Sequence, residues 1–131
     1  MSVMEGRLIK KGKAEGEALV SERPLSFLGG IDPKTGEVID RESDLCGQSV
    51  AGKVLVFPHG KGSTVGSYII LWLKKEGANP AAIINESSEP IVSVGAIISD
   101  IPMVDKIDIS KIRTGDIVSV DDGKVTIKSR K

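Results

Sequence analysis

Phe57-Pro-His-Gly-Lys-Gly-Ser-Thr-Val-Gly-Ser-Tyr68 decides how this chain is read. Directly before it stands Gly52-Lys-Val-Leu-Val-Phe57, a β-branched and aromatic run that suits a buried strand. Directly after it, Ser67-Tyr-Ile-Ile-Leu-Trp-Leu-Lys-Lys-Glu-Gly77 predicts a helix, with lysines in its last turn and glycine as the stop. Strand, glycine-rich turn and helix start make an anion-binding arrangement. The first amides of a helix have no partner within it, and the helix dipole adds positive character there. Gly60 and Gly62 admit a ligand close to the backbone, Lys61 adds a full charge, and Ser63 and Thr64 offer hydroxyls. The plainer reading is equally open: Ser63 or Thr64 is only the N-cap, and the glycines only tighten the turn.

The rest of the chain builds a frame around this stretch. Met4 to Lys13 reads as an opening strand and Ala14 to Ser21 as a second, with Gly16 as a candidate bulge. Pro24 to Gly36 is neither helix nor strand by pattern. It is apolar at Leu25, Phe27, Leu28 and Ile31, so it either plugs the core or meets a partner. A short strand is expected over Glu37–Asp40. Ala81 to Asn85 reads as another apolar strand, which makes the centre a right-handed βαβ unit with a parallel pair. Glu86-Ser-Ser-Glu89 carries cap chemistry ahead of a short helix over Pro90 to Ile98, and Ile101 to Val104 is a further strand. Near the end, Asp121-Asp-Gly-Lys124 is a hairpin turn, with strict alternation in Val125-Thr-Ile-Lys128. The expectation is an α/β chain in one domain over residues 1–131, with a central βαβ unit and antiparallel hairpins at both ends.

Composition narrows function further. Lys plus Arg and Asp plus Glu each total 18 in 131 residues, so the formal net charge is zero. A nucleic-acid binder normally carries a basic excess, and aromatics at 3% leave no platform for stacking bases. No stretch approaches the roughly 18 apolar residues of a membrane span, and the cytoplasm is the expected location. Cys46 and His59 are the only residues of their kinds, so this chain alone holds no iron–sulfur cluster or zinc. Cys46 has no basic neighbour in sequence and is expected to be a buried or half-buried structural cysteine.

Four stretches together carry a resemblance: Ala14-Glu-Gly-Glu-Ala-Leu-Val-Ser, Pro24-Leu-Ser-Phe-Leu-Gly-Gly-Ile-Asp-Pro, Gly60-Lys-Gly-Ser-Thr-Val-Gly-Ser-Tyr and Ala81-Ala-Ile-Ile-Asn. The chain resembles the small subunit of the aconitase X family over nearly its whole length. The resemblance implies a swivelling β/β/α domain with barrel-like mixed layers. It implies a [4Fe-4S] cluster on a separate large subunit and none bound by this chain. The implied reaction is dehydration of a small phosphorylated hydroxy acid, (R)-5-phosphomevalonate, to trans-anhydromevalonate 5-phosphate on the archaeal mevalonate route to isoprenoids. Relatives that dehydrate hydroxyprolines make that the alternative substrate, and a non-catalytic phosphate-binding module is a third reading. By the same resemblance Ser63 is the proton-abstracting base, with Gly60, Lys61, Gly62 and Thr64 holding the substrate. A serine acts so only as an alkoxide, which helix-end amides, a lysine and exclusion of water can stabilise. His59, after Pro58 at a strand end, is the second candidate base.

Overall fold

The computed structural model describes residues 2–130. β1 (Ser2–Glu5), β2 (Arg7–Lys10) and β3 (Lys13–Val20) open the chain, followed by the two-residue β4 (Leu25–Ser26). β5 (Val54–Phe57) and the equally short β6 (Gly60–Lys61) lead into α1 (Gly66–Glu76), β7 (Ala82–Asn85), α2 (Pro90–Ile98) and β8 (Met103–Asp105). A 3-10 turn over Ile109–Lys111 precedes β9 (Ile117–Asp121) and β10 (Lys124–Ser129). No helix among the described residues is long and apolar enough to cross a membrane.

The βαβ unit forms as expected, with β5 parallel to β7 and α1 as the crossover. β3 and β8 extend the parallel set on either side. The central pair β5 and β7 are buried along their whole length and apolar but for Asn85, because both of their faces are covered. Alternation then sorts the side chains of the parallel strands into two cores. Leu55, Phe57, Ile83 and Met103 pack with Ile70 and Leu73 of α1 and Val92 and Ala96 of α2. Val54, Val56, Ile84 and Val104 pack with Val118, Val120, Val125 and Ile127 of β9 and β10. The result is three layers, antiparallel sheet on parallel sheet on helices, which is the β/β/α order implied by the resemblance.

Eight strands run as one sheet in the order β1-β10-β9-β3-β5-β7-β8-β2. Its two edge strands are consecutive in the chain with only Gly6 between them, so the sheet curls until its edges nearly meet. This corrects the expectation at the N-terminal end. There is no single strand from Met4 to Lys13 and no N-terminal hairpin, because β1 pairs with β10 and β2 pairs with β8. The corner has room for glycine alone, since a Cβ on Gly6 would lie 2.8 Å from Val104 Cγ2 and collide with the Asp105 carbonyl. Nor is Gly16 a bulge: β3 holds register against β9 from Lys13 to Glu17 and then passes to β5 at Ala18. The C-terminal hairpin is as expected, its turn carried by Asp122 and Gly123 at φ 45° and 94°.

Arg7 fastens the seam between the edge strand β2 and its neighbour β8, beside the corner where the sheet edges meet. Its Nε and Nη2 lie 3.0 and 2.7 Å from the carboxylate of Asp105, whose side chain is fully buried. The same carboxylate accepts from the Ser88 amide (2.9 Å) and hydroxyl (2.7 Å). Burial pushes the Asp105 pKa up, but the bonds from Arg7 and Ser88 and the charge on Arg7 outweigh it and hold it at about 2.

One open reading is decided and two expectations change. Leu25, Phe27 and Ile31 turn inward and Phe27 packs on Phe57, ring centroids 6.1 Å apart, so the Pro24–Gly36 loop plugs the core and leaves only Leu28 outside. Over Glu37–Asp40 there are only isolated bridges, Ile31 to Val38 and Glu37 to Ser49. Cys46 is exposed rather than buried, because Leu45 takes the inward position in its turn.

Candidate active-site loop

The chain leaves β5 at the carboxyl end of the parallel strands, where open α/β sheets bind their ligands. Its root is fixed at once. Asn85 Nδ2 donates to the Phe57 carbonyl at 3.0 Å, and the Glu86 and Ser87 amides both donate to the Pro58 carbonyl at 3.1 Å. Gly60 and Lys61 then pair in parallel with Leu25 and Ser26. Gly60 is buried against Glu89 and Val92 at the start of α2, leaving no space for a Cβ. Glu89 caps that helix, its carboxylate accepting from the Ile91 and Val92 amides at 2.8 and 2.9 Å. So the cap chemistry expected over Glu86–Glu89 is real, and it also clamps the loop.

Beyond Gly60 the chain comes to the surface. Lys61, Gly62, Ser63 and Thr64 are all exposed and consecutive. Gly62 sits at φ 95°, and a Cβ there would also lie 2.8 Å from Ser26 Oγ. Among the described residues, the amides of Gly62, Ser63 and Thr64 donate to no acceptor in the chain. Three free N–H groups beside the start of α1, with Lys61 adjoining, form a cradle for an anion.

Of the two readings left open, the one in which Ser63 or Thr64 caps α1 does not hold. The helix begins at Gly66 with Val65 as its N-cap, and no side chain caps it. Ser63 stands two residues earlier in a hydroxyl turn: its Oγ accepts from the Val65 amide at 3.1 Å, and its carbonyl accepts from the Gly66 amide at 2.9 Å. An N–H aimed at Oγ favours its charged form over its neutral one, which is the direction an alkoxide requires. His59 is exposed, and its Nδ1 donates to the Gly60 carbonyl at 2.8 Å.

The sequence reasoning did not anticipate Ser26, Asn85 or Glu89 at this loop. Only a polar residue closing an apolar run marked Asn85, and nothing local marked Ser26, which β4–β6 pairing brings beside Lys61. A cleft of about 680 Å³ opens past Pro58 and contains none of residues 60–64. It is lined by the carboxylates of Glu22, Asp44 and Glu86 against the single guanidinium of Arg113, an unfavourable balance for an anion. A second hollow of about 470 Å³ lies between α1 and α2 and does include Thr64 and Val65. Among the described residues no three His, Cys, Asp or Glu side chains stand close enough to hold a metal.

Comparison with known proteins agrees with this fold. The family model of the aconitase X swivel domain matches residues 3–129. The phosphomevalonate dehydratase small subunit of Thermococcus kodakarensis is 64% identical over 118 residues, 90% of this chain and 89% of its own length. That of Methanosarcina acetivorans is 58% identical over 120 residues, or 89% and 83% of the two chains. The crystal structure of Thermococcus kodakaraensis aconitase X in its holo-form is similar with a TM-score of 0.97 at 60% identity, covering 98% of this chain and 100% of that one.

Proposed function

The chain belongs to the aconitase X swivel family, and from that premise we propose that it is the small subunit of a phosphomevalonate dehydratase. This hydro-lyase removes water from (R)-5-phosphomevalonate to give trans-anhydromevalonate 5-phosphate, a step toward isoprenoids. The observation that carries the reading is the close likeness to small subunits of that name along nearly all of both chains. What supports the site is the exposed run Lys61–Thr64 with its three free amides.

Residues of this chain divide the work as follows. Lys61 and the Gly62 and Thr64 amides hold a carboxylate or phosphate of the substrate, and buried Gly60 sets the loop's height above α2. Ser63 takes the proton from the carbon beside the carboxylate, and the hydroxyl leaves the neighbouring carbon, so that water is lost and a double bond forms. Its alkoxide is stabilised by the Val65 amide and the start of α1, an effect that grows once water is excluded. With one cysteine, exposed on a turn, this chain does not fit a cluster, and the ligands of a [4Fe-4S] group belong to the large subunit. Bound there, such a group would supply a Lewis acid for the departing hydroxyl. The cytoplasm, where thiols stay reduced, suits an exposed free cysteine.

Anaerobic co-expression with the large subunit, followed by parallel assays of phosphomevalonate and hydroxyproline, tests the proposal. Turnover of phosphomevalonate by the complex, and none by this chain alone, is the expected result. Turnover of hydroxyproline alone would reassign the substrate. Activity of the small chain without iron or partner would overturn the division of labour.

A further inference from the structure

α2 is apolar on every side. Pro90–Ile98 contains no charged residue, and while Val92 and Ala96 turn into the core, Val94, Ile97 and Ile98 turn out. α1 adds Tyr68 and Trp72, four residues apart on one face, and Val65 just ahead of them. These six side chains are between 43% and 68% exposed. A helix apolar all round is normally covered on both sides. Val65, Tyr68, Val94 and Ile98 border one hollow, while Ile97 faces the other side of α2. An apolar patch of the first kind marks an interaction surface. Between the helices runs the hollow of about 470 Å³, and no charged side chain lines it.

We infer that the groove between α1 and α2 seats the large subunit of the enzyme, which inserts a ridge of aliphatic or aromatic side chains. The inference rests on the dehydratase reading, under which a partner must complete the site over Ser63. Thr64 and Val65, the two residues after Ser63, line the mouth of this groove. A partner standing over Ser63 therefore stands at the groove as well. Leu28, the one apolar residue of its loop left outside, has its amide near Gly66 and continues the apolar rim around the other side of the loop. The groove's lack of charge gives a charged partner nothing to pair with, so affinity has to come mainly from apolar burial around a few anchors.

The test uses the co-expressed complex. Val94→Asp and Ile98→Asp should each raise the dissociation constant, read by mass on dilution, by about 30-fold or more, the range of a central interface residue. Val3→Asp, an exposed apolar residue of β1 outside the groove, should leave it unchanged. At concentrations where the variant complexes remain whole, kcat should match the wild type. If the aspartate variants fail to fold, the wild-type complex still decides. Tyr68 and Trp72 are the only residues of their kinds in the chain, so oxidative footprinting reads this face directly. Protection of both in the whole complex, lost on dissociation, supports the inference. Free labelling in the whole complex, wild-type dissociation of the groove variants, or self-association of this chain through the groove in place of the large subunit would overturn it. A protected groove in a complex that dehydrates neither substrate would uphold the docking surface and sink the dehydratase reading.

Discussion

The seam around Asp105 and the loop around Ser63 lie on either side of α2 and differ in how completely they are finished. At the seam, a buried carboxylate meets a guanidinium, an amide and a hydroxyl, all from this chain. At the loop, three amides have no acceptor, Lys61 and Ser63 face outward, and apolar side chains of both helices stand beside them in solvent. A buried polar group costs free energy unless paired, so the first arrangement belongs to a surface closed by the fold. The second belongs to a surface closed by something else. The contrast separates residues that hold the domain together from residues that the proposed function assigns to a substrate and a second subunit.

The sharpest way to break that contrast is to show that a loop residue supports the fold. Ser63→Ala should lower turnover of the complex on the order of 10²-fold or more. Its stability should fall by no more than about 1 kcal/mol, since Oγ accepts one amide bond on the surface. Equal turnover with a lowered melting temperature would move Ser63 to the structural side.

The seam should behave in the opposite sense. Because Asp105 titrates at about 2 when folded and near 4 when unfolded, the bonds it makes stabilise the protein fully above the unfolded value. That contribution, about 2 kcal/mol, is lost as pH falls from about 4 to about 2. Acid unfolding of wild type against Asp105→Asn should show the wild type losing this amount in that window and the variant not. Identical acid profiles would mean the seam is not the lock described here.

Smaller effects refine the picture. Lys61→Ala should raise KM about tenfold with kcat little changed, the scale of one charge-assisted bond to an anion. Cys46→Ser should shift stability by less than about 0.5 kcal/mol, because the thiol is exposed. Steady-state kinetics and denaturant titration read these two.

What was legible in the chain followed from local pattern. Continuous apolar runs marked β5 and β7, Asp121-Asp-Gly-Lys124 marked the last hairpin, and Glu89 with Pro90 marked the start of α2. The misreadings arose where distant residues decide. Gly6 breaks the first strand only because the Asp105 carbonyl crowds it, and Arg7 meets Asp105 across 98 residues. The reading of Ser63 or Thr64 as a helix cap failed because the turn that Ser63 makes ends at Val65, which is itself the helix N-cap. Whether Phe27 plugs the core or meets a partner was decided only by Phe57, far away in sequence, being placed beside it.

A competition titration tests the central claim most directly. Ser63→Ala small subunit is added in increasing amounts to the wild-type complex while dehydration of phosphomevalonate is followed. If Ser63 is the base on a loop that docks intact, the variant displaces the wild type with equal affinity and activity falls in proportion to the share of complexes it occupies. Undiminished activity with full exchange of subunits would contradict the claim.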